Sequence, residues 1–201
     1  FNLLLDKNIQ LVTLVGKAGT GKTLLALASG LKRVVEDKAY SRVLVSRPVV
    51  PMGKDIGYLP GAKEEKLSNW MQPLFDNLDY LLTVNKKDNL KNLEWLTKNN
   101  LLEIEALTYI RGRSLPNQFI IIDEAQNLSP HEVKTIVSRA GEGTKVVLTG
   151  DPYQIDNPYL DANSNGLTYL VEAFKGQPIF GHVTLQRSER SDLAELAAEL
   201  L

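Results

Sequence analysis

No cysteine occurs anywhere in the 201 residues. Disulfides and cysteine-ligated zinc are therefore excluded, and a reducing cytosol is the natural setting. Histidine is nearly absent too: His131 and His182 are the only two, too few to expect a histidine-built metal site. No apolar run approaches the length of a membrane span, and no signal peptide opens the chain. The formal net charge of −1 removes any bulk electrostatic case for nucleic acid, so such a site has to be a local patch. An initiator Met is also missing. Phe1–Leu5 reads as the end of an amphipathic helix, so the chain is expected to be a piece of a longer protein. What is present, 43% hydrophobic and 23% charged residues, is the profile of a soluble globular domain of ordinary size.

Along the chain, short β-branched apolar runs alternate with amphipathic stretches. Ile9–Val15, Arg42–Ser46, Leu101–Ala106, Phe119–Ile122, Lys145–Thr149 and Ile179–Leu185 are predicted strands. Helices are predicted over Lys22–Glu36, Glu64–Leu82 with a kink at Pro73, Lys87–Lys98, Ser129-Pro130 to about Ala140, Gly166–Phe174, and from Ser191 onward. Pro48 to Gly61 reads as a loop. This alternation predicts an α/β fold with a mainly parallel sheet in a single domain over residues 1–201. The stretch 51–100 interrupts the pattern and is expected as a helical insertion beside the core.

Gly16-Lys17-Ala18-Gly19-Thr20-Gly21-Lys22-Thr23 fits the phosphate-loop pattern without mismatch, between a strand and a helix. Glycines let successive backbone N–H groups curl around phosphates at the positive end of a helix. Lys22 is then expected to reach the β- and γ-phosphates and the Thr23 hydroxyl to ligate magnesium. Ile120-Ile121-Ile122-Asp123-Glu124 supplies the partner motif. Asp123, at a strand end, is expected to hold the magnesium, and Glu124 to deprotonate the attacking water. Gln154, in Thr149-Gly150-Asp151-Pro152-Tyr153-Gln154, is either a sensor of the γ-phosphate or a solvated turn residue.

Asp123-Glu124-Ala125-Gln126 followed by Gly150-Asp151-Pro152-Tyr153-Gln154 resembles motifs two and three of superfamily-one helicases. Val49–Gly61 (VVPMGKDIGYLPG), Trp70-Met71-Gln72-Pro73 and Arg111-Gly112-Arg113 narrow the likeness. Over nearly its whole length the chain resembles the PhoH family of ATPases, and within it the members linked to a PIN domain. The resemblance implies a RecA-like P-loop NTPase core that uses ATP and Mg2+, with a role in RNA metabolism. It implies an N-terminal PIN nuclease domain outside these residues. It also implies a homo-oligomeric ring, with a hexamer the natural guess, because only one RecA-like body is present. The family's adenine-reading Gln would lie upstream of the first strand, before Phe1. Adenine and guanine therefore both stay open here. Asn85-Lys86-Lys87-Asp88 matches a guanine-reading motif but precedes Asp123 and reads as a solvated turn.

In superfamily-one proteins an arginine after a comparable strand touches the γ-phosphate. Arg187 matches that position best, and Arg190 is either an alternative or a helix cap. Arg47, Arg111 and Arg113 follow predicted strands on the phosphate edge. With Lys54, Lys63 and Lys66 they would form a track for a nucleic-acid backbone, and Tyr58 and Trp70 would offer stacking surfaces, although Trp70 also fits the apolar stripe of its helix. The leading expectation is an RNA-directed ATPase of helicase or remodelling type. The alternative is an ATPase switch or assembly factor acting on a protein. Glu124 beside Asp123 disfavours a small-molecule kinase.

Overall fold

A computed structural model describes residues 1–48, 63–84, 92–110, 112 and 114–188, and for 63–69 and 109 the backbone alone. Among the described residues six strands run in parallel: β1 Leu11–Gly16, β2 Val43–Arg47, β3 Leu102–Ala106, β4 Phe119–Ile122, β5 Lys145–Gly150 and β6 Phe180–Leu185, in spatial order β3-β2-β4-β5-β1-β6. Parallel strands need both faces covered, so the inner strands read as largely apolar runs rather than alternating ones. Phe119–Ile122, buried at every position, is the clearest case.

Alternate residues divide between two apolar clusters because successive side chains point to opposite faces. Val12, Leu14, Val43, Val45, Phe119, Ile121 and Val147 pack under α2 (Lys22–Leu31), α3 (Lys63–Val84) and α4 (Leu93–Lys98). Leu11, Leu44, Ile120, Ile122, Val146 and Leu148 pack under α5 (Pro130–Val137) and α6 (Gly166–Phe174). The order sets β5 between β1 and β4, so an extra strand separates the phosphate-loop strand from the acidic one.

The predicted elements lie within a few residues of the observed ones, with informative differences. The helix after the phosphate loop changes at Lys32 into a π-helical turn, Lys32–Glu36. The helix begun at Ser129 ends at Val137, because Ala140 leaves it to bridge Leu115. Ser129 and Glu132 form a reciprocal capping box at its start. α3 carries Pro73 inside it and buries Met71, Leu74, Leu78 and Leu81. In the stretch expected as an insertion, α3 and α4 form the crossover from β2 to β3 and share the apolar cluster of α2. Residues 49–62, 85–91 and 189–201 lie outside the described set. So do the readings placed on them: Lys54 and Tyr58, the Asn85–Asp88 motif with the start of the helix at Lys87, Arg190 and the terminal helix.

A short helix, α1 (Asn2–Leu5), opens the chain, and a buried lysine holds it. Lys145 is 1% exposed, and its Nζ donates to the carbonyls of Leu3 (2.8 Å), Leu4 (3.0 Å) and Asp6 (2.7 Å). All three ammonium protons are used. Lys145→Met should keep the stem volume yet strand those carbonyls, at a cost of about 2–4 kcal/mol. For a domain of this size that lowers Tm by roughly 5–15 °C. Burial, and then the Arg33 charge, pull the Lys145 ammonium from 10.5 to about 8. Between those values the unfolded chain binds the extra proton, so Lys145 makes stability rise with pH across that window. The variant should lose that slope. Thermal unfolding at pH 8 and pH 10 reads both effects, and an unchanged Tm would sink the clamp.

Candidate active site

In a parallel sheet the carboxyl ends of all strands share one edge, where ligands of open α/β folds bind. Gly16, Arg47, Asp123, Asp151 and Arg187 each end or follow a strand on that edge. The loop from β1 turns into α2 through Gly19 (φ 81°) and Gly21 (φ 79°), left-handed positions that favour glycine. Lys22 folds its Nζ back onto the carbonyls of Gly16 (2.6 Å) and Lys17 (2.9 Å), and Thr20 donates its hydroxyl to the Lys17 carbonyl (2.9 Å). Lys17, Ala18, Gly19 and Thr20 therefore form a closed turn before the N-terminus of α2.

Across the sheet, Asp123 is 4% exposed and meets that helix directly. Its Oδ1 accepts from the Thr23 hydroxyl (2.7 Å) and from the Thr149 hydroxyl on β5 (2.6 Å). The two predicted magnesium ligands are thus adjacent, although 100 residues separate them. Paired oxygen donors of this kind suit Mg2+, which keeps waters and phosphate oxygens as its other ligands. No cluster of three or more His, Cys, Asp or Glu that could hold a metal ion occurs among the described residues.

Glu124 sits in the left-handed region (φ 53°, ψ 40°) at the start of a 3-10 turn, Ala125–Asn127. For a residue with a Cβ this costs of order 1–3 kcal/mol, a strain typical of functional positions. Burial, and then the Asp123 charge beside it, push the Glu124 carboxyl above its ordinary 4.5; the Gln126 hydrogen bond, Arg47 and Lys22 pull it back. Gln126 donates to Glu124 Oε2 (2.5 Å) and to the Gln154 carbonyl (2.8 Å), and accepts from the Asp151 N–H (3.2 Å). It fills its space so completely that a Cβ on Gly150 would collide with its Oε1. Asn127 holds the next part of the same loop through Asp156 and Asn157.

Gln154 follows the edge as expected, but its side chain is exposed, and its backbone carbonyl is what Gln126 grips. Arg187 lies two residues beyond β6 and is exposed. Its strand pairs Leu185 with Gly16 of the phosphate loop. Arg47 does not stand on an open surface. Its side chain is 14% exposed, with Nη2 3.4 Å from Glu124 Oε1 and Nε 3.9 Å from Asp123 Oδ2. The guanidinium lies 5.1 Å from the centre of the Trp70 ring, and the indole N–H donates to the Pro48 carbonyl. Trp70 thus combines partial burial against the core with a polar duty. Arg111 and Arg113, and the side chains of Lys63 and Lys66, fall outside the described residues, so no continuous basic track is described. Sequence reasoning missed Gln126 and Thr149. Both stood inside quoted motifs, and a polar residue within an apolar setting was the available signal.

An additional strand between a phosphate loop and an acidic strand end, with Thr23 and Asp123 in contact, defines a RecA-like P-loop NTPase. The chain belongs to the PhoH family: residues 2–200 match the family described as PhoH-like protein. It is 62% identical to Protein PhoH2 of Bacillus subtilis (strain 168) over 99% of its own length and 45% of that protein. It is 45% identical to Protein PhoH2 of Mycolicibacterium smegmatis over 100% of its length and 44% of that one. The chain therefore spans less than half of these relatives. The large terminase of bacteriophage HK97 shares the fold, with a TM-score of 0.53 at 14% identity over 98% of this chain and 40% of that one. No helix among the described residues is long and apolar enough to cross a membrane.

Proposed function

We propose that the chain binds ATP with Mg2+ on Gly16–Thr23 and hydrolyses it to ADP and phosphate, and that RNA governs the rate. The observation that carries this reading is the Thr23–Asp123 contact with the carboxylate of Glu124 next to it. Lys22 would move from the Gly16 and Lys17 carbonyls to the β- and γ-phosphates. Thr23 and Asp123 would hold the Mg2+, which neutralises phosphate charge when bound. Glu124 takes a proton from the water whose oxygen bonds to the γ-phosphorus as the bond to the ADP oxygen breaks. Gln154 and Arg187 would meet the departing charge. The family resemblance favours ATP over GTP, and the proposal includes a cytoplasmic setting.

The test is turnover of the full-length protein with ATP, GTP and Mg2+, with and without single-stranded RNA. ATP-specific phosphate release that RNA accelerates is expected. Hydrolysis indifferent to RNA would favour a second reading, a switch acting on a protein. One feature favours that reading: Tyr153 (86% exposed) and Tyr159 (91% exposed) stand on a firmly bonded loop, 151–165, with three aspartates and no basic residue. We further propose that the full-length protein carries an N-terminal PIN nuclease domain outside these residues. The coding sequence upstream of Phe1 decides that.

A further inference from the structure

This inference rests on the ATPase reading above. The Glu124 carboxylate is gripped at both oxygens, and the two grips differ in kind. Oε2 is bound by Gln126, which is fully buried and fixed in turn by the backbone of Asp151 and Gln154. Oε1 is met by Arg47, whose contacts are all long: 3.4 Å to Glu124, 3.3 Å to the Trp70 carbonyl and 3.9 Å to Asp123. Its Nε is buried and makes no hydrogen bond among the described residues. Charge-assisted bonds usually close to about 2.7–2.9 Å, so most of this guanidinium's donor capacity is left for a better-placed anion.

A general base needs an oxygen within about 2.6–3.2 Å of the water it deprotonates. Gln126 fixes Oε2 to the loop after β5, which leaves Oε1 as the oxygen that can be vacated. We propose that Arg47 is a positioning residue that guards Oε1, and that a phosphate of single-stranded nucleic acid draws it away and frees the carboxylate for water. A guanidinium fork matches phosphate oxygens two at a time, and an indole face is a stacking platform for a base. Arg47 and Trp70 offer both together at the end of β2, beside β4 and its Glu124. One side chain thereby joins nucleic-acid binding to hydrolysis.

The experiment uses the full-length protein, ATP and a uridine homopolymer RNA. Tryptophan emission is followed with Trp95 and any tryptophan outside these residues changed to Phe. The wild type should be stimulated by RNA. Arg47→Met should turn over without RNA about threefold or more faster than the wild type, gain less than about twofold from RNA, and keep its KM for ATP within about twofold. Trp70 emission should shift on adding RNA to the wild type and stay fixed in Arg47→Met. Arg47→Lys keeps the charge without the fork and should fall between the two; it decides by the same criteria if the Met variant fails to fold. Slower turnover in Arg47→Met, undiminished RNA stimulation, an unstimulated wild type, or an emission change produced by nucleotide alone would each overturn the guard. A wild type that hydrolyses no ATP overturns the ATPase reading instead.

Discussion

Glu124→Gln is expected to bind ATP about as tightly as the parent and to lose roughly 10²–10⁴-fold in turnover. The substitution keeps the side-chain shape and removes the proton acceptor. The hydrogen bonds that shape the phosphate loop go elsewhere: Lys22, Thr20 and Thr23 are held by Gly16, Lys17 and Asp123. Lys22→Ala supplies the opposite signature. It deletes the ammonium proposed to reach the phosphates and loosens the turn it braces, so binding itself should weaken. Nucleotide binding and single-turnover phosphate release measured on both variants separate the two effects. Full activity in Glu124→Gln would end the assignment of the base.

Arg187→Ala should cost on the order of a thousandfold in turnover if Arg187 acts as an arginine finger. Its strand pairs with β1 up to Gly16↔Leu185, so Arg187 is delivered to the phosphate-loop end of the sheet. We propose that the finger serves a neighbouring subunit. Hydrolysis drives motion when charge stabilisation comes from a second body. Head-to-tail contacts between identical subunits supply that body and close into a ring where the rotation permits, a hexamer being the form we propose. Mixing decides between neighbour and self. Inactive Arg187→Ala and inactive Glu124→Gln subunits should regain turnover when assembled together, since some sites would then combine an intact Glu124 with an intact Arg187. An active protein that stays monomeric by light scattering at assay concentration would rule the ring out.

The phosphate loop and the acidic strand end were legible because each is contiguous: eight residues in one turn, and four apolar residues that stop at Asp123. The parallel sheet was legible because strands buried on both faces read as unbroken apolar runs. What escaped was set by partners remote in sequence. Arg47 reads as a strand-end cation suited to a phosphate, but its surroundings depend on Trp70 and Glu124, 23 and 77 residues away. Gln126 reads as a motif letter until the Gln154 carbonyl, 28 residues on, gives it a role. The early end of α5 is also tertiary: Ala140 falls within the predicted helix but bridges Leu115.

The clamp on Lys145 has a mechanical side. Lys145 opens β5, and Thr149 near its other end grips Asp123. A tug on the chain before Leu3 is therefore taken up at the foot of a strand roughly 20 Å long and carried along its length to the acidic pair. Hydrogen-bonded neighbours on both sides load that strand in shear rather than letting it peel. Tension at the N-terminus would thus be shared between β5 and its two neighbours, with β5 carrying it from Lys145 toward Thr149 and Asp123.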